Sequence, residues 1–331
     1  MVKYVIKRLL LSVVILFGVS IIIYSLVRMM PSDFVTNKFQ QQVLDGKMSQ
    51  EAFERLLEVY GLADRSFLGI LKGYFMWIGG VFRGDLGRSY QFEDEVGTII
   101  ADNMGISFGI AFVALILEFI IAIPLGVKAA TNQYGVVDYS ASVLSMIGTA
   151  LPTFFFAAIC IQLFSVQLGW FPVNGLTGNL PIDASEWSRF WDKIWHLALP
   201  IFVMVFLSVG SLMRYTRTNT LEVLNADYIR TARAKGLSER KVIYKHAFRN
   251  TLIPLVTLLA GTLPGLFSGA MITEQIFAIP GIGLKAYEAL KAGDIPFIMG
   301  YNMFLAILTV LGTLLADLMY AVVDPRVKLT K

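Results

Sequence analysis

The apolar residues of the chain fall in long runs. No charge occurs from Leu9 to Val27, from Thr251 to Thr273 or from Phe297 to Ala316. A fourth run extends from about Tyr139 to Phe164 and gives way to the turn-forming Leu168-Gly-Trp-Phe-Pro172. A fifth covers Leu197 to Met213, starting near Pro200, and Gly105 to Val127 makes a sixth that Glu118 alone interrupts. A helix needs roughly 20 residues to cross a hydrocarbon core of about 30 Å. The pattern predicts an all-α integral membrane protein with six transmembrane helices. It divides the chain into residues 1–30 (N-terminus and first span), 31–102 (a helical loop) and 103–331 (the other spans).

Two connecting segments carry helix signals of their own. Between Pro31 and Asp102, Ser49 can cap a helix through Tyr60 that stops at Gly61, and Ser66 can cap a second through Phe82. The second, with Tyr74, Phe75, Trp77 and Ile78, is too apolar to lie free in water. It reads as an interfacial helix with its aromatics at the headgroup level, a position that also suits docking of a soluble protein. Between Arg214 and Arg249, nine basic residues face only Glu222, Asp227 and Glu239. Asn225 can cap a helix that runs through Ala234 and ends at Gly236, and Ser238 can cap the next. A loop that merely holds positive charge needs no such fold. A helix-glycine-helix corner expected to expose Tyr228, Ile229 and Leu237 suits a protein–protein contact.

Composition supports a membrane protein, with 56% of the 331 residues hydrophobic and 16% charged. Lys3, Lys7 and Arg8 precede a run of about 19 residues with no small-x-small site after it, so it is a span and not a secretory signal. Sixteen basic residues fall on the side of the two termini and of the 214–249 segment, against eleven in the loops of the other side, seven from Pro31 to Asp102 with Arg189, Lys193, Lys285 and Lys291. Both termini should therefore be cytoplasmic, and residues 31–102 extracytoplasmic. The net charge of +4 then reflects orientation in the membrane and gives no case for nucleic-acid binding. Cys160 is alone in an apolar run, which excludes a disulfide framework and leaves it a packing role. His196 and His246 fall in opposite boundary regions and make no metal pair.

Several residues inside the runs are candidates for the solute pathway. Glu118 lies near mid-span and Asp317 in the cytoplasmic half of the last span. A buried charge costs about 2.5–3.5 kcal/mol on insertion scales, so such residues face protein or a water-filled cavity. Asp317 is expected to pair with Arg214 or Arg217; Glu118 stays open between pathway and structure. Gly261, Gly265 and Gly269 recur at intervals of four, a smooth face for close packing or for lining a passage. Glu274 reads as a solvated interfacial charge, with contact to a substrate amine as the sharper alternative.

The stretch Asp227-Tyr-Ile-Arg-Thr-Ala-Arg-Ala-Lys-Gly236, followed by His246-Ala-Phe-Arg-Asn-Thr-Leu-Ile-Pro254, resembles the cytoplasmic EAA segment of ABC importer permeases. Arg230 and Thr231 replace the glutamate and first alanine of the general motif, a departure associated with the peptide branch. Arg83-Gly-Asp-Leu-Gly-Arg-Ser89, Ile123-Pro-Leu-Gly-Val127, Leu168-Gly-Trp-Phe-Pro172, Pro280-Gly-Ile-Gly283 and Asp317-Leu-Met-Tyr-Ala-Val-Val-Asp-Pro-Arg326 extend the likeness along nearly the whole chain. The chain resembles the B-type permeases of the oligopeptide/dipeptide ABC importer family.

The resemblance implies a pore subunit without catalysis, working with a C-type permease, two ATPase subunits, an extracytoplasmic substrate-binding protein and a peptide substrate, all within membrane lipid. The coupling segment would be 222–250. Within it Asp227, Tyr228, Ile229, Arg230, Thr231, Ala232, Arg233, Ala234, Lys235 and Gly236 would form the helix seated on an ATPase. No Walker A pattern occurs, so ATP and Mg would be bound by the partners and not by this chain. Gly281-Ile-Gly283 lacks a preceding strand and reads as a turn. An ion-coupled secondary transporter is the alternative; a membrane hydrolase lacks HExxH and GxSxG.

Overall fold

The computed structural model describes residues 2–30, 33–59, 62 and 66–323. The helix stop expected at Gly61, the basic residues Arg326, Lys328 and Lys331, and the side chain of Asp317 lie outside what is described. Helices make up the structure, and the only strand-like pairing among the described residues is an isolated bridge between Arg88 and Glu95. They are α1 (Val2–Arg28), α2 (Phe34–Leu44), α3 (Gln50–Val59), α4 (Phe67–Val81), α5 (Val96–Thr131), α6 (Val136–Ala150), α7 (Thr153–Cys160, continued by a π-helical turn over Ile161–Gln167) and α8 (Glu186–Leu224). After these come α9 (Asp227–Ala234), α10 (Glu239–Lys241, followed by a π-helical stretch over Val242–Ala247), α11 (Phe248–Phe267), α12 (Met271–Ile276), α13 (Ile282–Ala292) and α14 (Ile295–Val323).

Among the described residues, four helices are long and apolar enough to cross a membrane: α1 over Lys7–Arg28, α5, α8, and α14 over Ile295–Leu314. The run from Tyr139 to Phe164, expected as one helix, is instead α6 and α7 meeting at 105°, a fifth crossing if the bent pair is one span. Pro152 explains the break. It has no N–H to return to the preceding turn, and it drives Leu151 out of the helical region to ψ 129°. The run ending at Thr273 is also shorter than expected: α11 stops at Phe267, Gly269 adopts φ +73°, and α12 starts anew.

The chain forms two compact units. The first comprises residues 1–105 and 281–314. Asp33, Ser49 and Ser66 cap α2, α3 and α4 through their side chains. Tyr74, Ile78 and the partly buried Trp77 of α4 pack on Tyr24 and Val27 of α1. Ser20 and Tyr74 hydroxyls share a buried hydrogen bond of 2.8 Å. These aromatics are thus a helix–helix contact, while Leu68, Phe75 and Met76 make the exposed face of α4.

The second unit comprises residues 106–280 and 315–331. Its axis is α8, whose 39 residues reach about 58 Å, well beyond a hydrocarbon core. Glycines set the closest approaches. A Cβ on Gly210 would stand 2.7 Å from Ser145 Cα, one on Gly148 2.9 Å from the Phe206 carbonyl oxygen, and one on Gly126 2.7 Å from the Met213 carbonyl oxygen. α5 and α6 therefore press backbone-close against α8. Cys160 is buried in the same unit with Leu199, Val203 and Phe277.

Candidate functional site

The basic corner follows α8 directly. Asn225 is not the cap of the next helix: it closes α8 in a right-handed conformation, and Ala226 takes the extended N-cap position of α9 with no side-chain bond. α8 simply runs further than its polar end suggests. Lys235 caps the end of α9, and Gly236 reverses the chain at φ +75°. Ser238 opens α10 by its extended backbone, also without a side-chain bond.

The corner has its own small core. Ile229, Ala232, Val242 and Ala247 are buried together, with Val223, Leu224 and Leu237 packed against them. Ile229 was expected on the surface and is fully enclosed, because α9 is amphipathic and needs one apolar stripe to hold it to the π-helical stretch. What α9 exposes is Asp227, Tyr228, Arg230, Thr231, Arg233, Ala234 and Lys235. Arg233 donates through Nε to Glu239 at 2.7 Å, bracing the two sides of the glycine turn. Arg230 lies 3.6 Å from Asp227. The Tyr228 ring is half-exposed, and its partial burial pushes the phenol above its ordinary value. The product is a rigid, mostly cationic ridge with one aromatic at its start.

The intramembrane candidates separate. Glu118 on α5 is partly buried and lies near Ser208 on α8. Glu274 is no solvated charge: it is 1% exposed, and its Oε1 accepts from the Ser107 hydroxyl at 2.7 Å and from the Ala270 N–H at 2.9 Å. It holds the first turn of α12 against α5, so it is enclosed and not presented to a substrate amine. Among the described residues Gly261 and Gly265 meet nothing within 4 Å, and Gly269 lies past the end of α11, so the three do not form one packed helical face. Gly281 is the N-cap of α13, consistent with a turn.

Sequence reasoning missed two buried aspartates. Arg217, expected beside Asp317, is bound bidentately by Asp138. The signal was Asp138 standing at the start of an otherwise uncharged run. Asp294, fully buried, accepts from Ser89 Oγ at 2.5 Å and from the backbone N–H groups of Tyr90, Gln91 and Phe297 at 3.0–3.2 Å. It ties the Arg83–Ser89 motif to the start of α14. His196 donates from Nδ1 to the Asp192 carbonyl at 2.8 Å, since a carbonyl can only accept.

Comparison with known proteins adds to this geometry. Residues 122–329 match the family described as "Binding-protein-dependent transport system inner membrane component". The chain is 39% identical, over 99% of its length and 100% of the relative's, to the oligopeptide transport system permease protein AppB of Bacillus subtilis. It is 33% identical to the dipeptide transport system permease protein DppB of Escherichia coli, with 99% of each covered. Among solved structures it is similar to the inward-facing MetNI methionine ABC transporter, with a TM-score of 0.54 and 18% identity over 68% of this chain and 96% of that one. That likeness concerns the fold alone.

Proposed function

Because the chain belongs to the family of binding-protein-dependent transport system inner membrane components, we propose that it is the permease subunit of an ATP-driven importer of oligopeptides or dipeptides. It forms half of the translocation pathway, is completed by a C-type permease, and receives substrate from an extracytoplasmic binding protein. Six crossings place both termini in the cytoplasm, with α11 as the crossing after the basic corner. The aromatic stripe Trp187, Trp191 and Trp195 at one end of α8 supports this placement. From Trp195 to Arg214 is about 28 Å of helix, the thickness of a hydrocarbon core, so the aromatics and the first arginine fall at opposite interfaces.

The observation that carries the coupling role is the corner itself. α9 is held from behind by Ile229 and Ala232 and offers Tyr228, Arg230 and Arg233 outward. An element that transmits force between subunits must be stiff along its own backbone and exposed on one face, and α9 is both. One ATPase subunit seats on α9 and another on the equivalent helix of the C-type permease. ATP and Mg are bound by those subunits.

The test is site-specific cross-linking from position 228 in the assembled complex, with ATP and with a nonhydrolysable analogue. A cross-link to an ATPase subunit whose yield changes with nucleotide is expected. If position 228 cross-links to no ATPase while the complex transports peptide, α9 is not the coupling element.

A further inference from the structure

The nine basic residues between Arg214 and Arg249 divide into three sets. Arg214 and Arg217 lie on α8, where Arg217 is committed to Asp138. Arg230, Arg233 and Lys235 belong to α9 and its cap. The other four, Arg240, Lys241, Lys245 and Arg249, follow the glycine turn, and all four are exposed. None of the four makes an ion pair or hydrogen bond among the described residues. Glu239, the acid at the head of this stretch, is taken by Arg233 at 2.7 Å.

α10, the π-helical stretch and α11 succeed one another without a break from Glu239 to Phe267. Val242 and Ala247 turn into the small core under α9, with Val223 and Leu224 from the end of α8. Lys241, Lys245 and Arg249 recur at intervals of four, and Tyr244, 62% exposed, stands beside them. In an α-helix of about 3.6 residues per turn such a row would drift around the axis. The wider π-helical turn over Val242–Ala247, bonded i to i+5, offsets that drift and keeps the row straight. The result is a stripe of four cations and one tyrosine on the side of the helix that α9 does not occupy.

We infer that this stripe is a contact surface for the anionic phospholipid headgroups of the cytoplasmic leaflet, separate from the ridge of α9. The inference rests on the proposed orientation, in which α11 enters the membrane from the cytoplasm. The uncharged run begins at Thr251. Along a helix rising about 1.5 Å per residue, Arg249 stands roughly 3 Å and Lys245 roughly 9 Å before that point, which spans a headgroup layer of about 5–8 Å. Lys241 and Arg240 stand roughly 6–8 Å further out, within a Debye length of about 8 Å at physiological salt. A basic cluster immediately cytoplasmic of a span is drawn to an anionic surface, and a tyrosine there sets its ring at the apolar boundary and its hydroxyl in water. Because the stripe runs straight into a span, the charged surface it meets without further assembly is that of the bilayer. An ATPase seated on α9 leaves it uncovered.

The test uses the full chain in its native assembly, in nanodiscs of phosphatidylglycerol and phosphatidylcholine, with a photo-reactive cross-linker at position 244. The ratio of phosphatidylglycerol to phosphatidylcholine captured should exceed their ratio in the bilayer about fivefold at low salt, and should fall to that ratio in about 1 M salt, where screening acts within about 3 Å. Changing Arg240, Lys241, Lys245 and Arg249 together to Gln should remove the excess; exchanging Arg for Lys and Lys for Arg at the same positions should keep it. Capture of the two lipids in proportion to the bilayer, or an excess that persists in the Gln variant, overturns the inference. Capture of an ATPase subunit from position 244 in place of lipid also overturns it, by assigning the stripe to that partner. Should the Gln variant not assemble, an excess that salt does not reduce in the wild type overturns it instead. Labelling of Ser238→Cys with an impermeant maleimide tests the orientation separately. Reaction from the cytoplasmic side alone is expected, and it upholds the orientation whichever lipid position 244 captures; reaction from the outside alone would overturn the orientation and the inference with it.

Discussion

Arg217 holds Asp138 through two hydrogen bonds, Nε to Oδ1 at 2.6 Å and Nη2 to Oδ2 at 2.7 Å, joining the last third of α8 to the first turn of α6. The carboxylate also accepts from the Tyr134 N–H at 2.9 Å, which fixes the turn between α5 and α6. Both side chains are largely out of solvent, Asp138 at 5% and Arg217 at 24% exposure. Removing one partner of such a pair strands the other and costs about 3–5 kcal/mol, whereas replacing both is often close to neutral. Asp138→Ala should therefore lower the amount of chain in the membrane and its thermal midpoint, and Asp138→Ala with Arg217→Leu should recover most of both. A double variant no better than the single would mean that the pair is not what stabilises this junction.

Asp294 makes a second prediction. Its carboxylate receives four donors from residues 89, 90, 91 and 297. In Asp294→Asn one oxygen becomes an NH₂ group, which faces donors and leaves some of them unmatched, at roughly 1–3 kcal/mol each. The variant should expose the 83–95 segment to protease while α8 and the basic corner stay protected. Digestion that proceeds as in the wild type would remove Asp294 from that role.

Much of this architecture was readable because its causes are local. Ser49 and Ser66 begin their helices, and Gly236 ends α9, since each acts on backbone within a turn of itself. The failures have physical reasons too. Ser89 and Asp294 are 205 positions apart, so no short-range pattern joins them. Gly126, Gly148 and Gly210 matter because each meets another helix, whereas the regularly spaced Gly261 and Gly265 meet nothing within 4 Å among the described residues. Spacing reveals a face, and only the fold reveals what covers it. Pro152 was visible in the sequence, but its apolar surroundings gave it the look of an ordinary interior position. At the basic corner, the glycine stop was legible; which side of α9 faces inward required the core around Ile229.

Gly236 tests the corner. No atom of the described residues lies within 4 Å of the place a Cβ would take, so a side chain there meets no steric block from them and the cost is conformational. A left-handed residue other than glycine costs about 1–2 kcal/mol, less for asparagine and more for a β-branched one. Gly236→Asn should transport near the wild-type rate, and Gly236→Val should lose most ATP-driven uptake while inserting normally. Wild-type uptake by Gly236→Val at equal abundance would show that the turn does not matter for coupling.

The proposed docking of a binding protein on residues 31–102 can be tested on α3. Phe53, Leu56 and Leu57 pack into the first unit's core, so deleting the helix would damage the fold. Its other side presents Glu51, Glu54 and Glu58 in the open, one above another at helical spacing. Changing all three to Gln should slow association of the binding protein several-fold at low salt and leave basal ATPase activity alone, as expected for exposed charges that steer encounter. Association rates that do not move at any ionic strength would place the docking surface elsewhere.

Glu118 separates an ATP-driven pore from an ion-coupled carrier. The carboxylate lies deep in α5 and near the Ser208 hydroxyl of α8. A glutamine has the same size and keeps an oxygen for that hydroxyl, but it neither titrates nor carries charge. If α5 and α8 are moved by closure of the ATPases through α9, Glu118→Gln should retain ATP-driven peptide uptake in proteoliposomes without any ion gradient, changed at most in substrate affinity. If instead the carboxylate binds a proton or sodium, the same change removes the coupling ion and uptake ceases. The deciding control is a complex whose ATPase partners cannot hydrolyse ATP: it should transport nothing even with a proton or sodium gradient imposed. Gradient-driven uptake in that complex, abolished by Glu118→Gln, would replace the importer reading with a secondary transporter that has Glu118 at its ion site.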